Sequence, residues 1–209
     1  MKCERNVELS SIPTMPTAAP QLILASSSHY RKKQLENLGI PFTCKPPLID
    51  ETPNPGESAK AISLRLATEK AQIISSKNKG AFVIGSDQVA LCENEIIGKP
   101  GSAKKARQQL SYLQGKTATF FTSVAICNGS EKPKAKCSVS KVLFKTLTKS
   151  QISNYVDLDK PINCAGSFKS EALGISLFEY IKSDDPTALI GLPMIALISL
   201  LEENDISPI

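Results

Sequence analysis

The chain has 209 residues, 41% of them hydrophobic and 22% charged, a balance typical of a globular protein that buries a core of its own. Its net charge of +5 is mild; it suits an anionic small ligand but does not require one, and we expect no nucleic-acid partner. No apolar run reaches the length of a membrane span, and one histidine with six scattered cysteines excludes a multi-histidine metal site and a C-x-x-C zinc pattern. We therefore predict a cytoplasmic protein with reduced thiols and no membrane association.

The first twenty residues differ in composition from the rest of the chain. They contain three prolines and no apolar run of signal-peptide length. We predict that residues 1–20 form a flexible extension and that residues 21–209 form a single domain.

The first half of this domain has the pattern of two short strands and two helices. An apolar run predicts a buried strand at 22–25, and the serines after it offer hydroxyl caps to a helix over 29–37. A second short strand is predicted at 42–44, followed by a proline-rich, acidic loop over 46–57. A long amphipathic helix is predicted over 58–76.

The second half is richer in strands. A polar turn separates two long β-type runs in its centre, which predicts a hairpin. Because strands alternate with helices around this hairpin, we expect an α/β fold with a mixed β-sheet and flanking helices. The predicted elements are strands at 82–91, 96–97, 117–127 and 136–147, and helices at 102–114, 150–156 and 193–203.

The turn between the first strand and the first helix has the residues of a phosphate site. Helix N-termini present free N–H groups and a positive dipole end, and the hydroxyls of Ser26 and Ser28 lie at this end. Arg31 falls in the first helical turn, so its guanidinium can reach back to a bound phosphate. The same residues also fit a plain serine cap beside a solvated arginine.

A second candidate is the acidic pair Asp50 and Glu51 in the proline-rich loop. Two carboxylates on a loop can bind Mg²⁺ when waters and phosphates complete its coordination shell. A solvated acidic loop is the alternative.

A third candidate is Asp87, which follows the apolar residues of a predicted strand. Sites in α/β folds collect at the carboxyl ends of strands, and a carboxylate there needs a partner or a task. A hairpin return over 96–97 would bring Lys99 alongside Asp87, where the pair could activate water and balance phosphate charge. An ordinary charged turn is the alternative.

A fourth candidate is the glycine-containing segment 164–174. It combines small residues with charges and shows no clear periodicity, as do many loops that approach a ligand closely. A structural crossover loop fits this composition equally well.

Taken in order, these segments resemble the Maf family of nucleotide pyrophosphatases. The resemblance implies an elongated, inosine triphosphatase-like α/β fold with a deep central cleft, a divalent cation (Mg²⁺ or Mn²⁺) and, in many members, a homodimer. The matching segments are LASSSHYR (24–31), DE (50–51), RLATEKA (65–71), GSDQV (85–89), GKP (98–100), AGSFKSEALGI (165–175) and DPTALIGLP (185–193).

The resemblance also implies roles for individual residues. Asp87 matches the catalytic base and, with Glu51, a carboxylate at the metal. Lys70 and Lys99 match lysines beside the phosphates. Lys99 and Glu51 also match catalytic groups. The serines and arginine of the first turn, Ser26, Ser28 and Arg31, match the phosphate loop.

One branch of the family acts on 7-methyl-GTP, and three positions resemble it. They are Gln88, Glu171 and Tyr30, the last where that branch usually has tryptophan. A carboxylate such as Glu171 can accept the two donors of the guanine edge, and an aromatic face suits a cationic base. His29 stands where the family usually has proline.

Two alternatives to 7-methyl-GTP hydrolysis are open. The first is a dTTP/UTP pyrophosphatase of the same family, against which Gln88 and Glu171 argue. The second is a regulator of septum formation that binds a nucleotide without turnover. Asp87, Lys99 and Glu51 together favour catalysis, because a protein that only binds needs no water-activating carboxylate beside phosphate.

Overall fold

The structure is a computed structural model that describes residues 20–129, 132–207 and 209. The predicted extension therefore lies outside the described residues, apart from Pro20. Within the described ranges no helix has the length and apolarity to cross a membrane. No disulfide joins the cysteines of these ranges.

The predicted elements are confirmed, with one strand added. Serine hydroxyls cap the first three helices, as the sequence predicts for the first: Ser28, Ser58 and Ser102 each accept the N–H three residues ahead. The strands are β1 (Leu22–Ala25), β2 (Phe42–Cys44), β3 (Phe82–Cys92), β4 (Glu95–Ile97), β5 (Thr117–Asn128), β6 (Lys134–Phe144) and β7 (Phe178–Ser183). The helices are α1 (His29–Glu36), α2 (Ala59–Ser75), α3 (Ala103–Leu113), α4 (Lys149–Asp159) and α5 (Met194–Glu202).

The added strand is β7, at one edge of the sheet. It pairs antiparallel with β6, and the register shifts between Leu143 and Phe144. Four of its six residues are exposed, so it lacks the alternation of buried and exposed residues by which a half-buried strand is recognised in sequence.

All seven strands form one mixed sheet, which confirms the predicted fold class. The order is β2-β1-β3-β5-β6-β7, and β4 pairs with β3 beside this path. The pairs β1–β2 and β1–β3 are parallel, whereas every other pair is antiparallel.

A break in pairing along β3 positions the site. One edge of β3 pairs with β5 along its whole length, from Phe82 to Cys92. The other edge pairs with β1 only up to Gly85 and with β4 only from Ala90. Residues 86–89 therefore lie between the end of β1 and the end of β4, where the loops that follow these two strands converge.

Different elements cover the two faces of β3. Because side chains alternate along a strand, Val83 packs in a cluster with Ile74 of α2. Its neighbour Ile84 packs on the opposite face in a cluster with Leu197 of α5. Asp87 therefore shares the face of α2.

Helix α2 lies in direct contact with β3 because residue 85 is glycine. A Cβ atom there would overlap the carbonyl oxygen of Ala67 and lie 2.6 Å from the backbone nitrogen of Ala71. Both atoms belong to the α2 backbone, which cannot yield as a side-chain tip can. The close approach brings Lys70, the residue before Ala71, onto the sheet.

The loop before α2 is attached to that helix by Arg65. The Arg65 guanidinium binds Glu57 through two hydrogen bonds of 2.8 Å, from Nε and Nη2. It also donates to the carbonyl oxygen of Thr52, at 3.1 Å, and contacts Glu69. A two-pronged guanidinium–carboxylate pair restricts geometry as well as supplying energy. Arg65 thereby fixes the chain directly after Glu51.

The contact at Gly85 predicts the effect of adding one methyl group. We expect Gly85→Ala to lower the free energy of unfolding by about 3 kcal/mol, because either β3 or α2 must move. Urea denaturation measures the change. Gly98→Ala is the matched control, since a Cβ at Gly98 meets nothing within 4 Å. Equal stability of the two variants would contradict the close-approach argument.

The Arg65 contacts predict a local effect on the acidic loop. Arg65→Gln removes the fork, and we expect amide hydrogen exchange over residues 52–57 to become about tenfold faster. Lys60→Gln is the control on the same helix, because the Lys60 side chain is exposed and hydrogen-bonds no other described residue. Unchanged exchange in Arg65→Gln would show that the loop is held without this side chain.

Candidate active site

The first side of the site is the turn from β1 into α1. The Ser28 hydroxyl accepts the backbone N–H of Arg31, at 3.4 Å, and the Ser26 hydroxyl accepts the N–H of Ser28, at 3.1 Å. Both serines therefore hold the turn through their acceptor lone pairs. Each hydroxyl proton stays available to an anion at the helix N-terminus.

Arg31 is anchored from across the molecule. Its Nε donates to the carbonyl oxygen of Gly191, at 2.8 Å, so the guanidinium is held by one edge. Burial lowers the pKa of Arg31, while the charges of Asp87 and Glu51 act in the opposite direction. An arginine keeps its proton even so. Arg31 is thus a fixed, partly desolvated cation that faces the two carboxylates.

The centre of the site is an ion triad on the α2 face of the sheet. The Lys70 ammonium lies 2.6 Å from Asp87 and 2.6 Å from Glu51. Lys70 is 5% exposed and Asp87 is 7% exposed, whereas Glu51 comes from the exposed loop. Burying a lysine is unfavourable unless a carboxylate pairs with it. The triad therefore ties helix, strand and loop together at one point.

Glu51 is surrounded by cations. Burial alone would raise the pKa of its carboxyl, but Lys70, Lys99 and Arg31 outweigh burial and lower it below the ordinary value. The Lys99 side chain itself is exposed, in the loop that follows β4. The β3–β4 hairpin predicted from the sequence is confirmed, and its return strand brings Lys99 within the electrostatic reach of Glu51.

The two predicted metal carboxylates face the same region. Asp87 Oδ2 and Glu51 Oε2 accept no hydrogen bond from a described residue, so each keeps one oxygen for a ligand. Asp50, by contrast, turns back and accepts the backbone N–H of Thr52, at 2.9 Å. The described residues hold no group of three His, Cys, Asp or Glu side chains suited to a metal. A cation here would need phosphate or water oxygens as further ligands.

Tyr30 and Glu171, predicted for the base, lie near each other. The Tyr30 hydroxyl accepts a hydrogen bond from the thiol of Cys164, at 3.6 Å. Burial raises the pKa of Tyr30, and Cys164 and Glu171 raise it further. The Glu171 side chain is exposed and makes no hydrogen bond to a described residue, so its carboxylate is available.

The segment that carries Glu171 is tied to α4. Lys169 contacts both the backbone carbonyl and the carboxylate of Asp159. The Tyr155 hydroxyl donates to Asp159, at 2.8 Å, and accepts the backbone N–H of Lys169, at 3.2 Å. Lys169 is therefore held by α4, whereas Glu171 takes no part in these contacts.

Gln88 makes structural hydrogen bonds on the face of the sheet opposite Asp87. Its amide nitrogen donates to the Thr122 hydroxyl, at 3.0 Å, and to the carbonyl oxygens of Ala188 and Leu189, at 3.0 and 3.3 Å. Gln88 therefore positions the turn at 188–190. A contact between Gln88 and a base stays a prediction.

The segment 185–193 matches the family, but its sequence indicates no role for it. The carbonyl oxygen of Gly191 accepts from Ser86, at 3.1 Å, as well as from Arg31. Gln34 of α1 donates to the carbonyls of Thr187 and Leu192. The acceptors are backbone atoms, which no sequence pattern singles out.

A family model shows which family the chain belongs to. Residues 21–204 match the model of the Maf family, described as Maf-like protein. A 7-methyl-GTP pyrophosphatase of Pseudoalteromonas atlantica is 49% identical over 187 residues, which cover 89% of this chain and 96% of that protein. The 7-methyl-GTP pyrophosphatase of Bordetella pertussis is 45% identical over 93% of this chain and 98% of that protein. A HAM1 protein from Coxiella burnetii superposes with a TM-score of 0.46 at 13% identity, over 91% of this chain and 92% of that one. The chain belongs to the Maf family.

Proposed function

We propose that this protein hydrolyses 7-methyl-GTP to 7-methyl-GMP and pyrophosphate. The observation that carries the proposal is the triad of Asp87, Lys70 and Glu51. Its Glu51 lies within electrostatic reach of Arg31, in the first turn of α1, and of Lys99, in the loop after β4. Relatives that are 45–49% identical over nearly their whole length bear the name 7-methyl-GTP pyrophosphatase. The proposal assigns the same reaction to this chain.

The cationic groups fit a triphosphate. Arg31 and Lys99 both act on the same carboxylate, Glu51, so a phosphate group near it would lie within reach of both. The serine hydroxyls of the β1–α1 turn, Ser26 and Ser28, and the helix N-terminus provide further donors. Arg31 is already anchored through Nε, so little of its conformational freedom is lost on binding.

Asp87 is the group suited to direct water at the α-phosphorus. It is buried, and its contact with Lys70 through Oδ1 leaves Oδ2 to accept a proton from water. Attack on the α-phosphorus breaks its bond to the bridging oxygen, and the leaving pyrophosphate takes up the charge. Lys99 lies in an exposed loop, where its ammonium can stabilise the negative charge of the leaving pyrophosphate.

The site residues fit a divalent cation. Glu51 and Asp87 offer hard carboxylate oxygens, as Mg²⁺ and Mn²⁺ prefer, and would hold the ion together with phosphate oxygens. A bound cation supplies charge neutralisation for the triphosphate and for the pyrophosphate that leaves. Lys70 contacts Oε1 of Glu51 and Oδ1 of Asp87. It therefore orients both carboxylates and leaves the second oxygen of each for the cation.

The nucleotide base is proposed to bind beside Tyr30 and Glu171. N7 methylation makes guanine cationic, and an aromatic ring beside a carboxylate attracts such a base. The Cys164 thiol holds the Tyr30 hydroxyl, which limits rotation of the ring. A cytoplasmic location and a homodimer belong to the same proposal, as the family resemblance implies.

The proposal is tested by pyrophosphate release from 7-methyl-GTP, GTP, dTTP, UTP and CTP, with Mg²⁺, with Mn²⁺ and with chelator. We expect metal-dependent release that is fastest from 7-methyl-GTP. A preference for dTTP or UTP would keep the reaction and overturn the base assignment. Folded protein that releases pyrophosphate from none of the five would support a nucleotide-binding regulator instead.

Two variants locate the chemistry within this assay. Asp87→Asn should lower kcat about a thousandfold while nucleotide binding by calorimetry is retained, because the carboxylate acts on water. Asp50→Asn is the matched control, since an asparagine keeps the acceptor that Thr52 uses. Full turnover in Asp87→Asn would remove Asp87 from the mechanism.

The base assignment predicts a change of preference. Glu171→Gln should reduce the ratio of kcat/KM for 7-methyl-GTP over GTP about tenfold, since the cationic base loses a carboxylate partner. Glu179→Gln, another exposed glutamate of the C-terminal region, is the control. A ratio that stays the same in both variants would place the base elsewhere.

A further inference from the structure

Two loops that serve opposite ends of the proposed substrate meet on one side chain, Gln109 of α3. The Ser167 hydroxyl, in the segment that leads to Glu171, donates to the amide oxygen of Gln109. The amide nitrogen of Gln109 donates to the carbonyl oxygen of Gly98, at 3.0 Å. Gly98 directly precedes Lys99. One planar amide therefore bridges the segment 164–174, which we call the base loop, and the segment 98–101, which we call the Lys99 loop.

The base-loop end of this bridge has an unusual backbone. Ser167 is fully buried and has a φ of 60°, in the left-handed region that few side chains adopt. Gly166 before it has a φ of 75°. Such a conformation persists only when its surroundings hold it, and the hydrogen bond to Gln109 is one contact that does so.

The Lys99 loop is tied to the same region a second time. The backbone N–H of Gly101 donates to the carbonyl oxygen of Ile162, at 2.9 Å. The segment 98–101 is therefore attached to the chain around 162–167 through one backbone contact and through Gln109. Two hydrogen bonds therefore link the residues on either side of Lys99 to this region.

We propose that Gln109 is a positioning residue that couples recognition of the base to the placement of Lys99. The inference rests on the proposed function. A base seated beside Glu171 holds the base loop in place, and the bridge then holds Lys99 against the departing pyrophosphate. The preference for one base therefore affects kcat as well as the affinity for the nucleotide. A merely structural link would affect stability and leave the ratio of kcat values between nucleotides unchanged.

The test compares three variants. Gln109→Met removes both hydrogen bonds and keeps side-chain length and helix propensity. Ser167→Ala removes only the contact to the base loop. Gln108→Met is the matched control, because Gln108 is the exposed neighbour on α3 and hydrogen-bonds no other described residue through its side chain. Each is assayed for kcat and KM with 7-methyl-GTP and with GTP.

We expect Gln109→Met to lower the ratio of kcat for 7-methyl-GTP over GTP about tenfold, with a smaller change in KM. Ser167→Ala should show a similar loss, and the double variant should lose little more than Gln109→Met alone. Wild-type ratios in folded Gln109→Met and Ser167→Ala would overturn the coupling. A wild-type protein that releases no pyrophosphate would fail earlier, at the proposed function, so the two failures are distinguishable.

Discussion

The structure depends on the buried ammonium of Lys70 between two carboxylates. An isolated charge at this depth would be strongly unfavourable, so Lys70 requires carboxylate partners, and Asp87 and Glu51 supply them. The contact joins a helix, a strand and a loop, and the helix and strand also pack through apolar side chains. Gly85 allows the helix to reach the strand, and Arg65 holds the loop where its glutamate meets the lysine.

The same arrangement explains how the site can bind a polyanion while containing two carboxylates. Lys70 is shared by both carboxylates, whereas Arg31 and Lys99 act on Glu51 without a hydrogen bond to it. An incoming phosphate finds one cation, Arg31, that is fixed in place, and hydrogen-bond donors that remain unused. The carboxylates keep one oxygen each for a metal ion or water.

The backbone of the segment 185–193 supports the site from the opposite face of the sheet. Asp185 is almost fully buried and accepts the backbone N–H groups of Thr187 and Ile195. The turn it stabilises presents the Gly191 carbonyl to Arg31 and Ser86. The orientation of the Arg31 guanidinium is therefore set by a segment 160 residues away in sequence.

Local sequence by itself determined most of the elements, the serine caps and the family. Short-range signals suffice for these, because an N-cap hydroxyl or an apolar run acts within a few residues of itself. The β3–β4 hairpin also followed from local turn residues, and so did the approach of Lys99 toward the site.

Only the tertiary structure decided which partners these residues have. The sequence treats Asp50 and Glu51 alike, yet Asp50 turns back on Thr52 and Glu51 alone meets Lys70. The amide nitrogen of Gln88 donates to backbone carbonyls of the turn at 188–190, which no local pattern indicates. The exposed edge strand β7 has no local pattern and exists because β6 offers it a free edge. Long-range pairing depends on where the folded sheet brings distant segments, and composition does not encode that placement.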